Sequence, residues 1–560
     1  MPKPKTIRES VHGDITLKPH ELDVVNTAVF QRLHGIKQLG MAYVVYPTAT
    51  HTRFEHSLGC VHVSQRIIDQ LNRDDERVTD NVADKVRMAA LLHDLAHIPY
   101  GHTLENELQV LSERHDESEE RLGRFFAGLR QEIESGPTKD AACAIPLIEY
   151  ALTVIKTVKL FDGYIKRRQQ PEPDKIPLAP EEWFVADIIG NTICADLLDY
   201  ARRDMRSTGL NQDYDDRIYS YFDLASDGAG VRLALRTTKE QGLRLDAVSE
   251  ILHVLRIRYS LSERVLFHHT KNVASAMLGE IVAQLNPPPE TYDELRDEEL
   301  LPCLAGLTKG HPEEFRRGIE RLIQGLQTRR LHKTIFRVGV AQQAPYQLEN
   351  ARHLGDDYSA PKKRRELEDR IRETFPQLGL GDVLIYSPEP QMTMKEVWVN
   401  VLVRKGDPIC RPLRIEADEK QPYLPSVLAD EVKALEDKYS ALWSWSVFLA
   451  PDKLDFCFAV QGFLRQELNV SNDPFLQGYL DARPELETGR RVRELAQTEY
   501  EIQAAAVDLL LNNREELEQA AASGPPEAAE SIYEMAVDRA RRDQHRQNRR
   551  VSRSDRPDDE

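Results

Sequence analysis

Residues 91–102, LLHDLAHIPYGH, place three histidines and an aspartate in twelve positions at the end of an otherwise apolar helix. Burying such groups without partners is costly, so a fold built around this segment must also supply something that binds them. The surrounding text, ADKVRMAALLHDLAH, has Val86, Ala89, Ala90, Leu92 and Ala96 at helical spacings, which predicts a helix with a buried face. Pro99 and Gly101 are expected to end it, because proline restricts the residue before it and donates no backbone hydrogen bond. On such a helix His93 and His97 lie one turn apart, with Asp94 three residues before His97. Imidazole nitrogen with carboxylate oxygen suits a divalent cation such as Mn²⁺, Fe, Zn²⁺ or Mg²⁺. Two residues do not complete its coordination. The best further ligands are His56, in HTRFEHSLG, and Asp196, in CADLLDYARRD. One buried histidine alone is more often a hydrogen-bonded core residue; the segments together favour a metal centre.

The chain has 560 residues, 41% apolar and 30% charged, a globular composition with material for several domains. Its formal charge is -18. Such a surface repels nucleic-acid backbones, so a nucleic-acid-coating role is disfavoured. No uninterrupted apolar run reaches bilayer-spanning length, and MPKPKTIRES lacks the apolar stretch of a secretory signal. No membrane partner is expected, and the expected compartment is the cytoplasm. Cys60, Cys143, Cys194, Cys303, Cys410 and Cys457 lie far apart with no CxxC pair. That argues against a structural zinc site and for free thiols.

The expected fold class is mainly α. Residues 1–335 read as a helical core with an exposed proline-rich loop at 166–182, KRRQQPEPDKIPLAPEE. Long helices are expected in EWFVADIIGNTICADLLDYARRD and again over 247–285. Near residue 336 the character changes. Val397, Val399, Val401 and Val403 alternate with Trp398, Asn400, Leu402 and Arg404, the period-2 pattern of a strand. DVLIYSP reads as another strand, and before it Leu367, Ile371 and Phe375 form one helical stripe. Residues 336–455 are expected to form a small α+β domain, 456–537 a helical extension, and 538–560 a disordered charged tail.

HTRFEHSLG, LLHDLAHIPYGH and DLLDYARRD together resemble the HD-domain metal-dependent phosphohydrolases, whose ligand pattern is H…HD…D. Within them the chain looks like the deoxynucleoside triphosphate (dNTP) triphosphohydrolases. VHGDITLKPHELDVVNTAVFQRLHGIKQLG and AYVVYPTATHTRFEH are similar in the same register. The likeness covers roughly residues 7–335 and fades towards 455. It implies an α-helical HD domain in which His56, His93, Asp94 and Asp196 hold a divalent metal that polarises the α-phosphate. It implies cleavage to a deoxynucleoside and intact triphosphate, with His102 as general acid and His97, Glu105, His115 and Asp116 as a supporting relay. Histidine suits proton transfer because its ordinary pKa is about 6.5 and a neighbouring carboxylate can tune it. Arg53 and Arg258 are implied as phosphate contacts, Gln38 and Asp204 as partners of the 3′-hydroxyl, and Leu39 and Tyr200 as the wall against the ribose. A homo-oligomer, a nucleotide activator, and a role in dNTP-pool control or phage defence are further implications.

The chain also departs from the family pattern. Leu197 stands at a lysine position, Glu105 replaces an aspartate, Asp116 a glutamate and Phe267 a tyrosine. Asn26 and His34 replace an Asp and an Arg that complement the edges of guanine, which argues against guanine-specific activation. Two other readings remain open at the level of sequence. One is an HD phosphohydrolase acting on another nucleotide or a nucleic-acid end; the other is a nucleotide sensor without catalysis.

Overall fold

The computed structural model describes residues 3–111, 113–136, 140–167, 169, 171–239, 242–339, 348–388, 399–402, 409–413 and 426–482. The chain divides into two compact units, residues 1–451 and 452–560.

The first unit opens on an antiparallel hairpin, β1 (Lys5–Glu9) and β2 (Gly13–Leu17), with Ile7 opposite Ile15. Alternation sends Ile15 and Leu17 into the core and Thr16 outward. Helices follow: α1 (Pro19–Val25), α2 (Arg53–Leu71), α3 (Asp80–Leu92), α4 (Glu119–Ser135), α5 (Ala141–Lys166), α6 (Trp183–Ile189) and α7 (Ala195–Thr208). A second antiparallel pair, β3 (Phe222–Ser226) and β4 (Val231–Arg236), precedes α8 (Leu245–Leu261), α9 (His269–Leu285), α10 (Asp297–Leu307) and α11 (Glu313–Gln327). At the start of α2 the Thr52 backbone N–H donates to Glu55 Oε2 at 3.1 Å, half of a capping box that fixes where Arg53 and His56 point. Leu58 and Val61 of α2, Val86, Ala89 and Ala90 of α3, and Leu198 and Ala201 of α7 share one core. Their three- and four-residue spacings put each set on a single helix face.

Helix α3 ends at Leu92, several residues before the expected stop. His93 Nδ1 lies 2.8 Å from the Ala90 carbonyl, the acceptor that the Asp94 N–H would use if the helix continued. Residues 93–96 form a turn instead, so His93 and His97 do not lie one turn apart on a continuous helix. The chain then reverses at Tyr100 and Gly101, both left-handed (φ 59° and 43°), and a single π turn spans Thr103–Glu107. The long helix expected over 247–285 is likewise broken, by a π turn at Ser262–Leu266 that separates α8 from α9.

Residues Ala141–Ile165 of α5 are long and apolar enough, by length and composition only, to cross a membrane. The expectation counted uninterrupted apolar runs, and this segment is interrupted by Glu149, Lys156, Lys159 and Asp162. The helix buries a stripe of Ala144, Leu147, Ile148, Ala151, Val154 and Ile155 in the core and exposes Glu149.

Beyond residue 332 come β5 (Lys333–Gly339), α12 (Pro361–Thr374), β6 (Val383–Tyr386), β7 (Asn400–Leu402), α13 (Ser426–Ser440) and β8 (Ser444–Leu449). Strand β8 lies between β5 and β6 in an antiparallel sheet. Strand β7 runs parallel to β4, with Leu235 opposite Val401, and so joins the sheet of the helical part. Leu367 and Ile371 of the expected stripe are buried in α12. Of the strand expected around 397–404, residues 397, 398, 403 and 404 lie outside the described residues, as do 483–537 of the extension and the 538–560 tail. The described part of the second unit holds α14 (Cys457–Leu468) and α15 (Pro474–Asp481).

Candidate metal centre

Four side chains from three elements converge at the end of α3. His56 comes from α2, His93 and Asp94 from the turn closing α3, and Asp196 from the first turn of α7. His56 Nε2 lies 3.1 Å from Asp196 Oδ1 and 3.5 Å from Asp94 Oδ2. His93 Nε2 lies 3.5 Å from Asp94 Oδ1 and 3.9 Å from Asp196 Oδ1.

The ring tautomers test whether these residues fit a metal. His93 Nδ1 donates to the Ala90 carbonyl, and its buried Nε2 has no hydrogen-bond partner. An orphaned ring nitrogen is costly unless something binds it. His56 Nδ1 lies 2.7 Å from Asp199 Oδ2 and donates to it, which turns the Nε2 lone pair towards Asp94 and Asp196. Each ring therefore has an oxygen acceptor on its far nitrogen, the arrangement that metal-ligating histidines carry. Burial disfavours a charged His56, yet Cys60, Asp196 and Asp199 outweigh it and hold its pKa well above the ordinary histidine value. Burial also works against a charged Asp94, but the Arg53 guanidinium at 2.5 Å and the His93 and His97 rings hold it well below the usual carboxylate range. The site wants positive charge at its centre, and two imidazoles with two carboxylates suit a divalent ion.

Sequence reading missed what supports this set. Asp199 is fully buried and accepts from His56, from Arg203 Nε and Nη2 at 2.8 and 2.9 Å, and from His12 Nε2 at 2.7 Å. Arg203 Nη1 also donates to Glu9 at 2.6 Å, which ties the β1–β2 hairpin through Asp199 to His56, a candidate ligand. Asp196, Asp199 and Arg203 follow one face of α7, a spacing visible in the sequence. Nothing local marked Glu9 or His12. Gly59 lets α7 come this close, because a Cβ there would overlap the Asp199 carboxylate and the Arg203 guanidinium. Gly59→Ala is expected to push Asp199 off His56 and weaken metal binding about 10–100-fold, as read by metal titration. Unchanged affinity would mean that His56 does not depend on this support.

A second cluster lies beside the first. His97, His102, Glu105 and His115 bring nitrogen and oxygen atoms within 4.8 Å of one another. His97 and His115 stack with ring centroids 3.5 Å apart, and His102 meets them edge-on at 4.9 and 5.7 Å. Glu105 Oε2 lies 3.3 Å from His115 Nδ1, and Glu105 Oε1 accepts from Arg121 at 2.5 Å. Burial and the Arg53 charge push His97 well below the ordinary histidine value, and His102, whose side chain is exposed, is lowered by the crowded cavity wall and the same charge. His115 goes the other way: burial opposes its charge, but Asp116 and Glu105 raise it. His115 is thus the ring best placed to keep a proton towards neutral pH.

Both clusters open on one cavity of about 390 Å³. Its wall includes Gln38, Leu39, Arg53, His93, Asp94, His102, His115, Asp116, Asp196, Tyr200, Asp204 and Arg258. The other three expected site residues, His56, His97 and Glu105, are buried within the two clusters. Gln38 Oε1 is buried without a partner, Asp204 accepts from His51 Nε2 at 2.8 Å, and Arg258 forms no ion pair among the described residues. Arg53 turns to Asp94, and Leu197 is a core residue. Tyr439 of α13, which no sequence feature marked, joins the wall. Phe267 packs against it, with ring centroids 6.4 Å apart. Asn26 and His34 are exposed, and His34 stacks on Phe54 at 3.6 Å.

The HD domain family model matches residues 53–175, which hold His56, His93 and Asp94 but not Asp196. An uncharacterised protein of Methanocaldococcus jannaschii is 48% identical over 101 residues, 18% of this chain and 21% of its own. The deoxynucleoside triphosphate triphosphohydrolase SAMHD1 of Gallus gallus is 26% identical over 300 residues, 49% of this chain and 44% of its own. That of Homo sapiens is 26% identical over 302 residues, 49% of this chain and 43% of its own. The chain thus spans about half the length, or less, of these curated relatives. With a matched segment over residues 53–175, and with histidine and aspartate donors brought together by α2, the turn closing α3 and α7, the chain carries an HD domain and is similar, over about half its length, to dNTP triphosphohydrolases.

Proposed function

We propose that the protein hydrolyses deoxynucleoside triphosphates in a metal-dependent reaction that releases deoxynucleoside and intact triphosphate. The observation that carries this reading is a single cavity shared by the ligand set, the histidine cluster, and Gln38, Tyr200 and Asp204. A divalent ion, Mn²⁺, Fe, Mg²⁺ or Zn²⁺, held by His56, His93, Asp94 and Asp196 would supply Lewis acidity towards the α-phosphate and make water more acidic.

The chain's own residues do the rest. Asp199 and the Ala90 carbonyl hold the two imidazoles in position. Arg258 offers the triphosphate a guanidinium with no competing carboxylate paired to it among the described residues. The departing 5′-oxygen needs a proton. His102 faces the cavity and stands to give it, while His115, whose pKa its carboxylate neighbours raise against burial, is the store behind it. An arriving polyanion raises the depressed His102 into a useful range. Gln38 and Asp204 are suited to the 3′-hydroxyl, and Leu39 and Tyr200 form the apolar side against the ribose. A homo-oligomer, a nucleotide activator, and a role in dNTP-pool control or phage defence belong to the same proposal.

His102→Ala is expected to lower the single-turnover rate by roughly 10²–10⁴-fold while nucleotide affinity changes little. Matching losses in rate and affinity would make His102 a binding residue instead. The reading itself is tested by incubating the protein with each dNTP, singly and in mixtures, with Mn²⁺ or Mg²⁺, and separating the products. Deoxynucleoside with triphosphate is the expected pair, and turnover confined to mixtures would reveal an activator. Release of monophosphate or diphosphate, or no product in any mixture, would point to a different phosphate substrate.

A further inference from the structure

Away from the cavity, the described residues hold another set of metal-type donors. His20 of α1, with Asp140 and Cys143 at the start of α5, brings an imidazole nitrogen, a carboxylate oxygen and a thiol sulfur within 4.8 Å of one another. His20 is only 4% exposed. Its Nδ1 lies 3.7 Å from Cys143 Sγ, and its Nε2 has no hydrogen-bond partner and faces Asp84 Oδ1 at 3.8 Å. Asp140 occupies the N-cap position of α5, where an aspartate ordinarily accepts from the N–H groups of the first turn. Here it makes no such bond. A preferred capping residue has left its helix uncapped beside a buried histidine and a thiol.

The local charge also favours a cation. Asp23 receives the Asp140 backbone N–H at 2.7 Å, and Lys18 pairs with Asp84, so with Asp140 itself three carboxylates gather here against one ammonium. Burial, Asp140 and Asp84 push the Cys143 thiol up, with Lys18 pulling the other way. Asp140 and Cys143 are half-buried, which leaves a solvated ion a way in.

We propose that His20, Asp140 and Cys143 form a second, non-catalytic site for a thiophilic divalent ion of the zinc class, which clips α1 to the start of α5. One nitrogen, one sulfur and one oxygen leave the fourth tetrahedral position to water. The Cys143 thiol loses its proton to solvent as the sulfur–metal bond forms. Asp84 lies across the His20 ring from Cys143, where an acceptor for the far N–H of a metal-bound histidine belongs. The spacing of the cysteines argued against structural zinc because that rule looks for sulfur pairs. A site with one sulfur, assembled from two distant segments, leaves no such mark. This site does not depend on the hydrolase reading.

The test uses the full-length His93→Ala protein, stripped with chelator and titrated with Co²⁺, so that the HD centre contributes least. A thiolate-to-cobalt charge-transfer band is expected to saturate stoichiometrically. It should vanish when Cys143→Ser is added and persist when Cys60→Ser is added, since Cys60 is the thiol within the donor group at the HD centre. Zn²⁺ should raise the thermal midpoint of the Cys143 protein and leave that of the serine variant unmoved. Should the serine variant fail to fold, His20→Gln is the second test and should weaken Co²⁺ binding by about tenfold or more. Absence of the band, its survival in Cys143→Ser, or unchanged affinity in His20→Gln would overturn the proposal.

Discussion

His93→Ala is expected to cut dNTP turnover by roughly 10³-fold or more while the thermal midpoint barely moves. The ring of His93 spends one nitrogen on the Ala90 carbonyl and leaves the other, buried and unbonded, facing Asp94 and Asp196. Removing it strands no charge, so the fold loses little. Asp94 is a different case. It holds the Arg53 guanidinium at 2.5 Å, and Arg53 is only 2% exposed. Asp94→Ala therefore leaves a buried cation without its partner and is expected to cost about 3–5 kcal/mol of stability in addition to activity. Asp94→Asn keeps an acceptor for Arg53 and should fall between the two. Turnover at saturating metal, measured beside thermal unfolding, separates a ligand from a structural residue. Wild-type turnover in His93→Ala would remove His93 from the metal set.

Arg203→Met is expected to lose as much stability as Asp94→Ala, about 3–5 kcal/mol. The guanidinium makes two bonds to Asp199 and one to Glu9, and all three side chains are buried. Methionine fills much of the volume but leaves two carboxylates facing each other without a cation. Burial alone would raise Asp199, and Arg203 is the chief reason its carboxyl stays well below the usual range. Once Asp199 shifts or takes up a proton, His56 loses the acceptor that fixes its tautomer. Metal affinity should then fall about 10–100-fold as well. Denaturant unfolding and metal titration of the one variant read both effects. A variant as stable as the parent would show that the hairpin network does not support the site.

The convergence of His56, His93, Asp94 and Asp196, the proposed ligands, was legible because histidine beside aspartate on an apolar helix has few other uses, and His56 and Asp196 stood in similar apolar settings. The exact helix end was not. Pro99 and Gly101 are strong punctuation, but the stop at Leu92 comes earlier, from a side chain that claims a backbone carbonyl. No propensity scale contains that event. The Asp199–Arg203 pair lay in plain sight on α7, whereas its partners Glu9 and His12 come from a hairpin whose docking only the packed structure reveals. Gly59 looks like an ordinary helix-weakening residue until the Asp199 carboxylate is found against it. Val401 and its neighbours read correctly as a strand, but its parallel partner β4 belongs to the part of the chain that reads as helical. Tyr439 reached the cavity wall for the same reason: period and spacing report on local structure and say nothing of which distant segment closes a pocket.

The most direct test of the central claim is where a water oxygen goes. A dNTP is hydrolysed by the metal-loaded protein in water enriched in heavy oxygen, and the products are weighed by mass spectrometry. The heavy atom is expected in triphosphate, with none in the deoxynucleoside and no labelled product from His93→Ala. Label in the deoxynucleoside, label in a shorter phosphate product, or undiminished labelling in His93→Ala would contradict the account.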